Sequence, residues 1–209
     1  MIAQTYFIPI AIVCAYLIGS IPTAYIVTRL SKDIDIRAIG SQNMGAMNVF
    51  YKVGFIPGLL VLAVDIGKGA SAIALARWLG VPMIYELLAG LAAVIGHIFP
   101  IFLNFYGGKG GATLIGIFAF LMPWGIPLYV TLFGICLLLT RYPTLSYSVA
   151  FLCFPFIAWL GYHSFEFSAF SICLLLIPAI RYIPRIKEMR AISGSWHHVL
   201  VRQNMKDRL

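Results

Sequence analysis

Apolar runs of a length that crosses a bilayer recur along this chain, separated by short polar breaks, and no other feature restricts its fold as strongly. A hydrocarbon core of about 30 Å takes roughly 20 helical residues. Within it every backbone N–H and C=O must be satisfied by the segment itself, which selects helices. Of the 209 residues, 61% are hydrophobic and 11% charged, where a soluble domain carries roughly 25% charged residues. The expected fold is all-α: a polytopic integral membrane protein of about seven transmembrane helices joined by ordered cytoplasmic loops, in one membrane domain over residues 1–209. The first run lacks a basic start and is long enough to span, so it reads as a transmembrane helix rather than a cleaved signal.

The spans are expected at about 5–27, 55–79, 86–105, 112–121, 126–139, 146–161 and 165–180, with a basic tail over 181–209 that carries a short amphipathic surface helix. The segment 112–121 is under-length for a full crossing. Near the end of the first span, Pro22 loosens the helix and Ser20 is placed to satisfy the freed backbone groups. With seven alternating spans, nearly all Lys and Arg residues fall on one side, which the positive-inside rule assigns to the cytoplasm. That puts the N-terminus outside and the C-terminus inside a cell (inner) membrane. The formal charge of +8 sits at segment ends, so it fits anionic membrane lipids and not nucleic acid. Cys14, Cys136, Cys153 and Cys173 lie apart in apolar runs, and no CxxC occurs; neither a disulfide framework nor a zinc site is indicated.

Two breaks carry polar chemistry. The first contains Asp35, Arg37, then Gly40, Ser41, Gln42, Asn43, Met44, Gly45, Ala46, Met47 and Asn48. Its connection is too long for an idle helix turn, and its small and amide residues suit a polar ligand. The second follows His97 and Pro100 and reads Tyr106, Gly107, Gly108, Lys109, Gly110, Gly111, Ala112, Thr113. Its glycines bring backbone N–H groups within reach of an anion, Lys109 adds a charge, and a following helix N-terminus adds donors. The spacing is not that of a Walker loop. Arg141 and Thr144 form a third cytoplasmic break. Asp65 and Lys68, three residues apart within a span, share a helix face and can pair; they either order the bundle or shape a substrate site.

Several of these strings, in this order, resemble the acyl-phosphate-dependent glycerol-3-phosphate acyltransferase family of bacteria, the PlsY family. The likeness rests on Gly19-Ser20-Ile21-Pro22, on Asp35-Ile36-Arg37 with the 40–48 string, on Asp65-Ile66-Gly67-Lys68-Gly69, and on the 96–110 string. It implies a seven-span inner-membrane enzyme that acts on acyl phosphate and sn-glycerol 3-phosphate, releasing lysophosphatidic acid and phosphate in phospholipid biosynthesis. It implies no cofactor, no metal, and no coenzyme A or carrier-protein donor. Ser41, Asn43, His97 and Lys109 are then the candidate catalytic residues. Arg37, Gly40, Asn48, Gly107, Gly108, Gly110, Arg141 and Thr144 are candidate substrate and phosphate ligands. The chain departs from the family's usual pattern at Gln42 (Gly), Met47 (Thr) and Thr144 (Ser), at Lys52, the nearest replacement for an Arg usually found near Tyr51, and at Tyr182 and Arg185, which stand for a His and an Asn. A non-catalytic or altered-substrate relative, and a small anion-metabolite transporter built around Asp65 and Lys68, are the alternative readings.

Overall fold

The computed structural model describes residues 2–196 and Leu200. These residues form ten α-helices: α1 (Ile2–Ser20), α2 (Thr23–Lys32), α3 (Ala46–Lys52), α4 (Phe55–Trp78), α5 (Met83–Ile98), α6 (Gly111–Leu121), α7 (Ile126–Thr140), α8 (Pro143–Ala150), α9 (Cys153–Leu160) and α10 (Phe165–Ser193). They group into two compact units, one ending at Leu121 and the other beginning at Met122.

Among the described residues, five segments are long and apolar enough to cross a membrane: Tyr6–Lys32, Phe55–Trp78, Met83–Leu103, Pro123–Thr140 and Pro143–Leu160. A sixth arises if Phe165–Ile177 and Tyr182–Ala191, bent by 45° from each other, are taken together. The remaining expected span, at 112–121, is the short helix α6. Its 11 residues rise about 16 Å, roughly half the hydrocarbon thickness. The first span is longer than expected, reaching Lys32 across a break at Ile21–Pro22. Helix α2 stops where Asp33 turns left-handed (φ 52°), its N–H donating to the Arg29 carbonyl and its carboxylate meeting the Arg29 guanidinium at 2.9 Å. Residues 181–193, expected as tail, continue α10; residues 201–209 lie outside the described residues.

The first unit packs by close backbone approach. A Cβ on Gly19 would collide with the Ala93 carbonyl, and one on Gly96 with the Tyr16 carbonyl, so α1 and α5 touch through glycines on both helices. Gly69 and the Thr113 carbonyl, and Gly116 and the Ile66 carbonyl, repeat the device between α4 and α6. Ala11, Ala15, Ala72, Ala76, Ala89 and Ala93 fill the layer between. Small residues do this in lipid because the hydrophobic effect gives no preference for helix over solvent there, and dispersion contact must hold the helices together. The second unit is held differently, by an aromatic cluster in which Tyr129 meets Phe151 at 4.9 Å and Phe154 at 5.8 Å between ring centroids.

Within α4, Asp65 and Lys68 are buried, at 2% and 4% exposure. They pair as the sequence spacing predicts, Lys68 Nζ donating to Asp65 Oδ1 at 2.6 Å. Lys68 also donates to the Ile21 carbonyl at 2.5 Å. The expectation for Ser20 is therefore corrected: its Oγ is buried without a hydrogen-bond partner, and the lysine serves the carbonyl at the break. The geometric reason is that Ser20 is turned into the α1–α5 contact, where it abuts Gly96.

Gly116→Ala is expected to lower stability by about 1–3 kcal/mol through forced separation of α4 and α6. Gly67→Ala, on α4 with open space around it, is expected to stay within about 0.5 kcal/mol of the parent. Thermal midpoints of the two variants in detergent, compared with the parent, check this pair.

Candidate functional site

The two polar breaks of the first unit meet at one end of its helices. In the first, Asp35 caps a 3-10 turn, Ile36–Ala38, by accepting from the Arg37 N–H at 2.9 Å. The Arg37 guanidinium returns to the same carboxylate through Nε at 3.0 Å and Nη2 at 2.8 Å, and lies over the Tyr25 ring at 5.1 Å. The side-chain hydrogen bonds from Arg37 hold the Asp35 carboxyl below its ordinary range, against a smaller opposing effect of burial. Asp35 was not among the expected site residues. The Asp-x-Arg spacing is the signal that points to it.

Beyond the turn, Gly40 and Gln42 are both left-handed, at φ 62° and 56°, and the chain doubles back over Asn48. That side chain is 1% exposed. Its Nδ2 donates to the carbonyls of Ile36, Ile39 and Asn43 at 3.1–3.2 Å, and its Oδ1 accepts from the Ser41 N–H at 3.1 Å. Asn48, expected among the phosphate ligands, thus has its carboxamide committed to the loop's own backbone and organises the loop from beneath. Ser41 is exposed and Asn43 half-buried on the outer side.

The second break starts where Pro100 follows the end of α5. A 3-10 turn, Ile101–Leu103, leads into Asn104 and Phe105, both left-handed at φ 52° and 62°. The chain then reverses. The Gly108 N–H donates to the His97 carbonyl at 3.0 Å. A Cβ on Gly107 would strike that carbonyl and Pro100; one on Gly108 would strike His97 Nε2 and the Met44 carbonyl of the first break. The glycine pair is therefore what lets the two loops and the imidazole touch. Leu103 packs on the same side against the cluster of Ile36, Met44 and Val49. Gly110, at φ 87°, makes the last turn before α6, and its carbonyl accepts from the Leu114 N–H at 2.9 Å. The opening N–H groups of α6 have no earlier turn of the helix to donate to. They and the half-buried Lys109 stand at the turn where the sequence places an anion.

His97 is 7% exposed, enclosed between Gly108 and Asp65, whose Oδ1 lies 3.9 Å from Nδ1. The structure thus brings Arg37, Gly40, Ser41, Asn43 and Asn48 into one loop, and brings that loop onto Gly107, Gly108 and His97. Arg141 and Thr144 belong to the second unit. Arg141 is exposed and closes α7 in a left-handed conformation (φ 52°), with Thr144 in the first turn of α8. In the same unit Tyr182 packs on Tyr142, whose hydroxyl donates to Met189 Sδ at 3.3 Å. The side chain of Arg185 lies outside the described residues. Among those residues no group of three or more His, Cys, Asp or Glu side chains is disposed to hold a metal.

A family model for glycerol-3-phosphate acyltransferase matches residues 9–192. The chain is 54% identical over 202 residues to glycerol-3-phosphate acyltransferase 2 of Dehalococcoides mccartyi (strain ATCC BAA-2266 / KCTC 15142 / 195), covering 96% of each. It is 48% identical over 139 residues to the glycerol-3-phosphate acyltransferase of Bacillus subtilis (strain 168), covering 66% of this chain and 72% of that one. Among solved structures, it is similar to the glycerol 3-phosphate form of PlsY, an integral membrane glycerol 3-phosphate acyltransferase. The TM-score is 0.81 at 28% identity, over 90% of this chain and 92% of that one.

Two outcomes follow from the loop geometry. Asn48→Ala leaves three carbonyls and one N–H of the loop without this partner, and is expected to cost about 1–3 kcal/mol, read as a lower thermal midpoint and faster proteolysis within 39–45. Because the folded Asp35 value is depressed, the pair's contribution is complete above the ordinary carboxylate range and is lost only as pH falls through the lower folded value. Hydrogen exchange of 34–39, corrected for its intrinsic pH dependence, is therefore expected to show equal protection at pH 7 and pH 5, and weaker protection at both in Asp35→Asn.

Proposed function

The chain belongs to the glycerol-3-phosphate acyltransferase family, and we propose that its two contacting loops are where its acyl transfer is carried out. The protein is an integral membrane acyltransferase of phospholipid biosynthesis. It moves a fatty acyl group from acyl phosphate to sn-glycerol 3-phosphate and yields lysophosphatidic acid and phosphate. The observation that carries the site assignment is the direct apposition of the loops, with Gly108 against the Met44 carbonyl and His97.

Acyl phosphate is already activated, so the protein has to orient the acceptor hydroxyl and stabilise charge on the acyl carbonyl oxygen. The glycerol hydroxyl oxygen attacks the acyl carbon, the bond from that carbon to the phosphate oxygen breaks, and phosphate leaves with the electron pair. Lys109 and the opening N–H groups of α6 hold one phosphate, as a point charge and a dipole end together. Ser41, Asn43 and the Gly40 turn face the reacting groups from the first loop. Arg37, its guanidinium pre-set by Asp35, offers the edge left over from that pairing. Gly107, Gly108 and Asn48 act by holding the loops in contact. His97 belongs to the same support: its ring is enclosed by Gly108, which favours phosphate itself as the acceptor of the hydroxyl proton. Arg141 and Thr144 are proposed substrate contacts on sequence grounds.

The distribution of Lys and Arg along the sequence supports an inner-membrane protein with its N-terminus outside and its C-terminus in the cytoplasm. The family match runs through both compact units, which supports reading residues 1–209 as one membrane domain in function.

Purified protein given both substrates is expected to release phosphate, and given glycerol 3-phosphate alone in vesicles it is expected to move none across. Lys109→Ala should lower kcat/KM by about 100-fold or more, in line with removal of one preorganised charge stabiliser, and Lys109→Arg should retain part of the activity. An unchanged rate in Lys109→Ala would remove the glycine loop from the reaction.

A further inference from the structure

The buried charges of α4 take no direct part in the reaction described above, yet they contact both ends of the machinery. The first span breaks where Pro22, lacking an N–H, separates α1 from α2. The Ile21 carbonyl at that break accepts from the Thr23 N–H at 2.9 Å and from Lys68 Nζ. The neighbouring hydroxyls of Ser20 and Thr23 are buried and make no hydrogen bond to it. Lys68 is joined to Asp65 Oδ1, and that same oxygen stands 3.9 Å from His97 Nδ1. The carbonyl of His97 accepts the Gly108 N–H, and its ring lies against the Gly108 α-carbon. A single line of contacts therefore runs from the broken first span, through Lys68, Asp65 and His97, to the glycine loop.

We propose that Asp65 and Lys68 are positioning residues for the acyl transfer: their pair locks the broken span to the His97 end of α5 and thereby sets the glycine loop for its phosphate-bearing substrate. Two ionised side chains at this depth are costly to keep, and a bundle held by glycine and alanine contacts elsewhere has cheaper means of cohesion. A well-packed apolar pair would serve stability alone equally well; it would give the Ile21 carbonyl no side-chain donor and the His97 ring no neighbouring carboxylate. The inference rests on the functional reading given above.

The test uses full-length protein in detergent carrying Lys68→Met, Asp65→Asn, or both. Each single variant leaves an uncompensated buried group and is expected to lower the thermal midpoint; the double variant, with neither charge, is expected to recover much of it. Recovery of the fold is not expected to restore the loop. In the double variant, exchange of amides 107–111 should be about tenfold faster, and the KM for glycerol 3-phosphate or for acyl phosphate about tenfold higher, a shift of about 1.4 kcal/mol. A double variant with parent-like midpoint, exchange and both KM values overturns the proposal and leaves the pair a structural one. Should the double variant not fold, Lys68→Arg is read by the same criteria, since the guanidinium cannot reproduce the single ammonium's geometry: faster exchange supports the proposal, and native exchange with native KM values overturns it. The exchange measurement needs no substrate. Parent protein that releases no phosphate would therefore count against the functional reading, while exchange in the variants still decides the coupling.

Discussion

A backbone carbonyl beside a helix break inside lipid is held by the donors within its reach, and Ile21 takes two, the Thr23 N–H and the Lys68 ammonium. Water is absent from the hydrocarbon region, and an unsatisfied group there costs several kcal/mol. Lys68 is the side-chain donor, but an ammonium at that depth needs a counter-charge, and Asp65 supplies it on the same helix face at 2.6 Å. Removing one member of such a pair typically costs roughly 3–5 kcal/mol, because the other is left charged and buried. The break in α1–α2 and the charges on α4 are thus one feature. Pro22 interrupts the span, and Lys68, three residues from Asp65 on α4, reaches the carbonyl beside the interruption.

The loops at the end of this bundle follow the same logic of local satisfaction. A connection that leaves regular secondary structure must place its backbone groups somewhere. The first does so on one amide, Asn48, which takes up three carbonyls and one N–H. The second folds back onto the end of its own helix through the Gly108 N–H and the His97 carbonyl. Each loop draws its order from partners within the protein itself. Preorganisation of this kind matters most for a reaction whose leaving group is already good, where orientation and oxyanion stabilisation are the main things left to supply.

Much of this was legible in the residues. Long apolar runs forced helices, the Asp65–Lys68 spacing forced a shared face, and the small and amide residues at 40–48 and the glycine run at 107–111 marked breaks in helix. What the string could not reveal was which of two uses a small or polar residue had. Glycines that expose N–H groups to an anion and glycines that let a backbone pass an imidazole look alike in one dimension. Gly107 and Gly108 turned out to be packed against His97 and Pro100, a contact that depends on the chain reversing at Asn104 and Phe105. Asn104 is a residue type that tolerates φ > 0, but Phe105 is bulky and rarely adopts it, so the paired reversal could not be read from the string.

Ser20 and Asn48 show the same ambiguity. Both are short polar side chains beside a break, and local hydrogen bonding is the ordinary expectation for such residues. Asn48 fulfils it, because the loop curls over it. Ser20 does not, because the α1–α5 contact at Gly96 claims its face of the helix, and the group that replaces it comes from 47 residues away in sequence. Long-range substitution of this sort is invisible to any window. It is also the reason the charged pair matters beyond its own helix: Lys68 reaches the Ile21 carbonyl beside the break in the first span while Asp65 stands against the His97 ring, so two side chains of one helix touch both of its neighbours.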